Sequence, residues 1–239
     1  MSDSPTLAIQ YVNYKTRDYL RSSLTDVMAD AQSSALDYKV YILDNASGDN
    51  LRDLEREKVA IKYSDTNVGF GAGHNLLASL HDSEYTLLLN PDTRFIEPDT
   101  IARLIASLAS SPSVAAVGPR LLGRNEEQQE WDHGELDFTS GDDSPGSYWK
   151  PRADAGEVAW VSGAASLLRT AAFKSVGGFD EKFFLYKEEE DLFLRLRQKG
   201  YTIHYDPSIA IVHIGSVVAN KHSRHFEQSI AYYNQKHGL

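Results

Sequence analysis

Four short apolar runs, residues 7–12, 40–43, 61–63 and 85–89, each stop at polar or turn-forming residues and are separated by helix-compatible stretches. Short, mostly apolar strands of this kind are typical of a sheet flanked by helices. Repeated at these intervals, the pattern dictates an α/β layer with helices crossing back over the sheet. Ligands of open, mostly parallel sheets bind beyond the carboxyl ends of the strands. Here those ends carry Val12-Asn13-Tyr14, Asp44-Asn45 and Asn90-Pro91-Asp92, so one edge of the sheet gathers the polar residues.

Residues 16–31 place Tyr19, Leu20, Leu24, Val27 and Met28 at helical spacing behind Thr16, a suitable N-cap. Further helices are expected over residues 51–58, 73–80 and 98–110, with Pro98 fit for a first turn. The stretch 123–156 breaks the rhythm: Gly, Asp, Glu and Ser surround Trp131, Phe138, Tyr148 and Trp149. It reads as a long surface excursion, either a binding loop or a plain connection. Residues 158–161 return to the sheet, and residues 188–199 form a helix burying Leu192, Phe193 and Leu196. A strand pair, 202–205 and 209–212, then delivers His213. At 239 residues without a Pro/Gly/Ser linker, the chain is read as one domain.

Lys plus Arg number 24 and Asp plus Glu 34, a formal charge of −10. That balance opposes general affinity for nucleic acid or anionic lipid, so any phosphate must be held locally. With no cysteine, neither disulfides nor thiolate metal sites contribute. Residues 1–5 have no basic segment leading into an apolar core, and the longest apolar stretch, 158–168, falls short of the roughly 18 to 20 residues of a spanning helix. A cytoplasmic location is the default expectation.

Asp92 leaves a buried strand in Asn90-Pro91-Asp92, where a carboxylate suits a hard divalent cation that also takes substrate phosphate oxygens. The same tripeptide is strong turn chemistry. His213 closes the last strand; imidazole beside carboxylate is a reasonable Mn²⁺ set, while a lone histidine is also an ordinary structural residue. Asn67-Val-Gly-Phe-Gly-Ala-Gly-His-Asn75 puts glycines at a helix entrance, which either lets backbone approach a phosphate or makes a tight connection. Asp44 and Asn45 can read a base or ribose, or form a turn. Glu188, Glu189, Glu190 and Asp191 follow the aromatic run Phe179, Phe183, Phe184, Tyr186. They serve either as helix-start acids or as the source of a general base, whose proton affinity burial raises and the helix dipole lowers.

These ordered motifs, with Gly177-Gly178-Phe179 leading into Glu188 to Leu192, resemble the family 2 glycosyltransferases, and most closely their bacterial rhamnosyltransferase-like branch. The resemblance implies an α/β, single-domain glycosyltransferase A-type fold with a Rossmann-like, mostly parallel sheet and helices on both faces. Residues 1–95 would be the nucleotide-binding half and 96–239 the acceptor-binding and catalytic half. The implied reaction is an inverting displacement, with Mn²⁺ or Mg²⁺, from a dTDP- or UDP-linked sugar to a glycan or lipid-linked glycan. L-rhamnose enters through the resemblance alone.

Residue by residue, it implies a nucleotide site of Val12, Asn13, Tyr14, Asp44, Asn45, Asn67, Gly69, Phe70, Gly73, Asn75 and Asn90. Asp92 and His213 are the implied metal ligands, and Trp160, Ser162 and Gly163 the acceptor or sugar contacts. The base falls among Glu189, Glu188 and Asp191, with Glu189 at the position of the family's usual acidic-pair Asp. Members of this branch often extend into a helical tail associated with membrane-bound acceptors. This chain stops earlier, which leaves a soluble acceptor or a shortened domain, and residues 220–239 suggest only peripheral membrane contact. A nucleotidyltransferase and a nucleotide-sugar-binding module without turnover are the rival readings.

Overall fold

Each of the four apolar runs forms a strand that ends where polar residues begin: β1 (Leu7–Asn13), β2 (Tyr38–Asp44), β3 (Val59–Tyr63) and β4 (Tyr85–Leu89). They lie parallel in the order β3-β2-β1-β4. The register sets Asn13 directly opposite Asp44, bringing two of the expected polar strand ends together. The computed structural model describes residues 4–136, 149–215 and 224–239; Phe138 and Tyr148 of the excursion lie outside them.

Beyond β4 the sheet continues through β10 (Ala165–Arg169), β6 (Val114–Leu122), β11 (Thr202–His213) and β5 (Thr93–Phe95), with β8 (Gly156–Val158) also paired to β11. β10 is antiparallel to both β4 and β6, whereas β11 runs parallel to β6. Six of the nine strands therefore point one way, and only β10, β5 and β8 oppose them. A separate ribbon pairs β7 (His133–Gly134) with β9 (Trp160–Val161).

The pleat sorts the core into two faces. Leu7, Ile9, Tyr11, Leu87 and Leu89 pack with Leu20, Leu24 and Val27 of α1 (Arg17–Ser33) and Ile101, Leu104 and Leu108 of α3 (Thr100–Ala109). Leu88 and Leu168 face the other way, toward Ala78 of α2 (Phe70–Ala78), Phe173 of α4 (Thr170–Ser175) and Leu192, Phe193 and Leu196 of α5 (Glu188–Gln198). Each fully buried leucine contributes about 2 kcal/mol of hydrophobic stabilisation. The chain ends in α6 (Arg224–His237), whose Tyr232 and Tyr233 pack against Phe183.

Several boundaries differ from the sequence expectation. Residues 51–58 form only a 3-10 turn, Arg52–Leu54, because Leu51 and Leu54 are buried anchors and Arg56 already bridges to Val59 ahead of β3. α3 starts at Thr100, where the Asp30 carboxylate accepts the amides of Thr100 and Ile101 at 2.9 and 3.0 Å and supplies the cap that no local side chain makes. Thr16 occupies the N-cap of α1, yet its hydroxyl donates to Asn13 at 2.8 Å instead of capping the helix. The expected final strand pair is one strand, β11, irregular between Asp206 and Ala210, where Pro207 has no amide to give the ladder.

Candidate functional site

The residues expected at the nucleotide gather at the tips of β1 and β2. Asn13 Nδ2 donates to Asp44 Oδ1 at 3.1 Å and also lies 3.0 Å from Asp49 Oδ2, while the Ser47 hydroxyl donates to the same Asp44 oxygen. Asn13, Asp44 and Asn45 are buried, and the Lys15 ammonium lies over the Tyr14 ring. Asn45 holds the glycine loop: its amide donates to Asn67 Oδ1 at 2.9 Å and Gly69 O at 3.1 Å, and its Oδ1 accepts from Val68 N at 2.9 Å.

The glycines of that loop are explained by contacts within the protein. Gly69 has φ +90°, and a Cβ there would lie 2.4 Å from the Phe184 carbonyl oxygen, which accepts the amide of Phe70 at 3.0 Å. At Gly73 a Cβ would lie 2.8 Å from Val12, so the missing side chain lets α2 settle on β1. Asn75 clips the Phe179 backbone from both sides, accepting its N–H and donating to its carbonyl, each at 2.9 Å. Among the residues expected at the nucleotide, Gly69 and Asn75 thus join the loop to the segment that leads to the acidic cluster, while Gly73 seats α2 on β1.

Asp92 and His213, 121 positions apart in sequence, meet with Asp92 Oδ1 3.5 Å from His213 Nε2. Asp92 Oδ2 accepts from Gly215 N at 2.9 Å. Gln129 defines the imidazole. Its Nε2 donates to the His213 carbonyl at 2.6 Å, so its Oε1, 2.9 Å from Nδ1, must be an acceptor and Nδ1 carries the proton. The Nε2 lone pair then faces Asp92 and the Asn90 amide, which donates to it at 3.2 Å. Burial outweighs the nearby Asp92 charge and lowers the pKa of His213, keeping the ring neutral. An imidazole lone pair beside a carboxylate oxygen, with the second nitrogen fixed by a hydrogen bond, is a donor set that fits Mn²⁺ or Mg²⁺. No group of three or more His, Cys, Asp or Glu suited to a metal occurs among the described residues, so a cation here would take its remaining ligands from a phosphate-bearing ligand or water.

The acidic cluster adjoins this centre. Asn90 N donates to Ala164 O at 2.8 Å, and next in the chain a Cβ on Gly163 would lie 3.1 Å from the Phe70 ring and 4.0 Å from Glu189 Cβ. Ser162 is fixed through its amide to Asp132 O at 2.9 Å, and Trp160 is buried beneath it in β9. Burial, then the charge of Glu190, pushes Glu189 up to about 7. Burial, then Glu189, raises Glu188 well above the carboxylate range. Desolvation therefore wins over the helix terminus. Both carboxyls hold a proton more tightly than usual, and Glu189 ionises near neutrality. One oxygen of each carboxyl is buried without a partner among the described residues.

Asp191 is placed differently. Fully buried, it accepts from Arg195 Nε at 2.8 Å and lies 2.6 Å from Lys236 Nζ and 2.9 Å from His237 Nε2. Both of its oxygens are engaged by basic groups, two of them on α6. Gln129, Lys236 and His237 are the residues that sequence reading missed; each acts on a partner distant in the chain, and Gln129 lies in an irregular stretch with no periodic signal.

Mannosyltransferase PcManGT from Pyrobaculum calidifontis, solved in complex with GDP-Man and Mn2+, superposes with a TM-score of 0.70 at 14% identity, over 97% of this chain and 65% of that one. The architecture is thus the glycosyltransferase A-type fold. The chain belongs to glycosyl transferase family 2, whose model matches residues 9–177. It is 27% identical over 202 residues to the N-acetylglucosaminyl-diphospho-decaprenol L-rhamnosyltransferase of Mycobacterium tuberculosis (strain CDC 1551 / Oshkosh), covering 73% of this chain and 66% of that protein. It is also 27% identical over 220 residues to rhamnosyltransferase WbbL of Escherichia coli (strain K12), covering 84% and 81%. The chain spans just under two thirds of the mycobacterial relative's length. No helix among the described residues is long and apolar enough to cross a membrane.

Proposed function

We propose that this protein is an inverting glycosyltransferase that moves a sugar from a dTDP- or UDP-linked donor to a hydroxyl of a glycan or lipid-linked glycan, at the cytoplasmic face of a membrane. The observation that carries the reading is the meeting of Asp92 and His213 at 3.5 Å, joined through Asn90, Ala164 and Gly163 to Glu189. Asn13, Asp44 and Asn45 supply polar groups for the nucleoside at the ends of β1 and β2. Asp92 and the Nε2 of His213 would hold a divalent cation, which when bound stabilises negative charge on the diphosphate as a Lewis acid.

Glu189 is the base. Ionised near neutrality, it takes the proton of the acceptor hydroxyl as that oxygen bonds to the anomeric carbon. The bond from that carbon to the diphosphate oxygen breaks with its electron pair, the diphosphate leaves without protonation, and configuration inverts. Glu188 lies deeper, and burial holds its proton more tightly than usual, which limits the negative charge beside the base. Both named relatives are rhamnosyltransferases, which supports L-rhamnose as the first sugar to try, and the mycobacterial name supports an N-acetylglucosaminyl acceptor.

Thermal unfolding with a panel of nucleoside diphosphates and their sugars, with and without Mn²⁺, tests the reading. A metal-dependent rise in Tm with dTDP or UDP is expected, because a ligand bound only by the folded state stabilises it. No rise with any member of the panel would refute it.

A further inference from the structure

Tyr186 and Lys187 enter α5 in consecutive left-handed conformations, φ 71° and 68°. For residues bearing a Cβ each such conformation costs of order 1 kcal/mol or more and persists only where the surroundings impose it. The surroundings here are specific. The Phe184 carbonyl receives Phe70 N, the Leu185 carbonyl accepts from the Ser229 hydroxyl at 2.8 Å, and the Tyr186 ring stands edge-on to Phe226 at 5.2 Å. α6 and the glycine loop thus hold this turn from two sides.

Tyr186 stands two and three residues before Glu188 and Glu189 at this turn; burial, then their charges, raises its pKa, so the phenol is a proton donor at neutral pH. Its hydroxyl is shielded from water and meets no partner among the described residues, as is also true of Glu188 Oε2 and Glu189 Oε2. A buried hydroxyl without a partner costs about 1 to 3 kcal/mol. A donor and two carboxyl oxygens without partners, all within four consecutive residues at the entrance to α5, are the complement of a ligand that presents several oxygens side by side.

We propose that Tyr186 is an acceptor-binding residue, its phenol donating a hydrogen bond to a sugar oxygen next to the hydroxyl that attacks. The ligand class is a polyhydroxylated ring, and holding the neighbouring oxygen selects which hydroxyl reaches Glu189. This rests on the transferase reading above.

Tyr186→Phe removes the hydroxyl and keeps the ring against Phe226. In ligand-free protein the variant is expected to melt at or above wild type, since an unmatched buried group is lost; a Tm several degrees lower would reveal a structural partner and overturn the proposal. In transfer from dTDP-L-rhamnose to octyl N-acetylglucosaminide, acceptor KM should rise about tenfold while the affinity for dTDP with Mn²⁺ stays within about twofold, as loss of one hydrogen bond predicts. An unchanged acceptor KM also overturns the proposal. Wild-type protein that fails to bind any nucleoside diphosphate would instead refute the transferase reading, and the melting comparison would still decide whether the hydroxyl is reserved for a ligand.

Discussion

Gln129 grips His213 at two points, donating to its carbonyl at 2.6 Å and accepting from its ring at 2.9 Å. The first contact fixes the amide, the amide fixes the tautomer, and the tautomer turns the Nε2 lone pair toward Asp92 and the Asn90 amide. A residue on an irregular stretch thereby sets the chemistry of a strand end.

Gln129→Met keeps the volume and removes both hydrogen bonds. Mn²⁺-dependent dTDP affinity should fall about 10- to 100-fold, the usual effect of losing a group that orients a ligating histidine. Calorimetry in the presence and absence of the metal measures it, with circular dichroism to verify the fold; an unaltered affinity would detach Gln129 from the site.

Asp92→Ala is expected to abolish the metal-dependent part of nucleoside diphosphate binding while leaving a weak metal-independent remainder from the β1 and β2 tips. Calorimetric affinity with Mn²⁺ equal to that of wild type would count against Asp92 as a ligand.

Glu189→Gln should retain donor affinity and lose transfer by a factor of about 10² or more. In wild type the rate should climb as pH rises through about 7, where the base ionises. Stability follows the opposite course. Folding raises the pKa of this carboxyl, so the folded state holds its proton more tightly, and the stabilisation present below the ordinary carboxylate range is lost as pH rises toward about 7. Glu189→Gln should therefore melt above wild type near pH 8 and show no advantage near pH 4. Parallel melting curves across that range would contradict the assigned burial.

Asp191→Ala leaves Arg195, Lys236 and His237 around an uncompensated site, and a loss of about 3 kcal/mol or more in unfolding free energy is expected. Limited proteolysis should cut within α6 sooner than in wild type. If the variant were as stable as wild type yet inactive in transfer, Asp191 and not Glu189 would be the base.

The strand ends were legible because polar residues follow mostly apolar runs, and the resemblance to the family singled out Asp92 and His213 as a pair. The sign of the carboxylate shifts was not legible, since it depends on how deeply Glu188 and Glu189 sit. Glycines at 69 and 73 carry the same local pattern whether they face a phosphate or Phe184 and Val12, so sequence left both readings open. Asp191 and His237 are 46 positions apart and Gln129 and His213 are 84, separations over which no periodicity informs. β10 went unread because its first residues, Ala165 and Ser166, carry no β-branched or aromatic signal for a strand.

Since β10 runs against its neighbours, Ala165 is paired with Leu89 and the chain passes Ser162, Gly163 and Ala164 on its way into the sheet at the carboxyl end of β4. On the proposed transferase reading, the donor is met by the ends of the first strands together with His213 of β11, and the acceptor by this loop, which arrives from elsewhere in the chain. On that reading, exchange of the loop between relatives changes which alcohol is glycosylated and leaves nucleotide recognition intact, so one scaffold can yield different products.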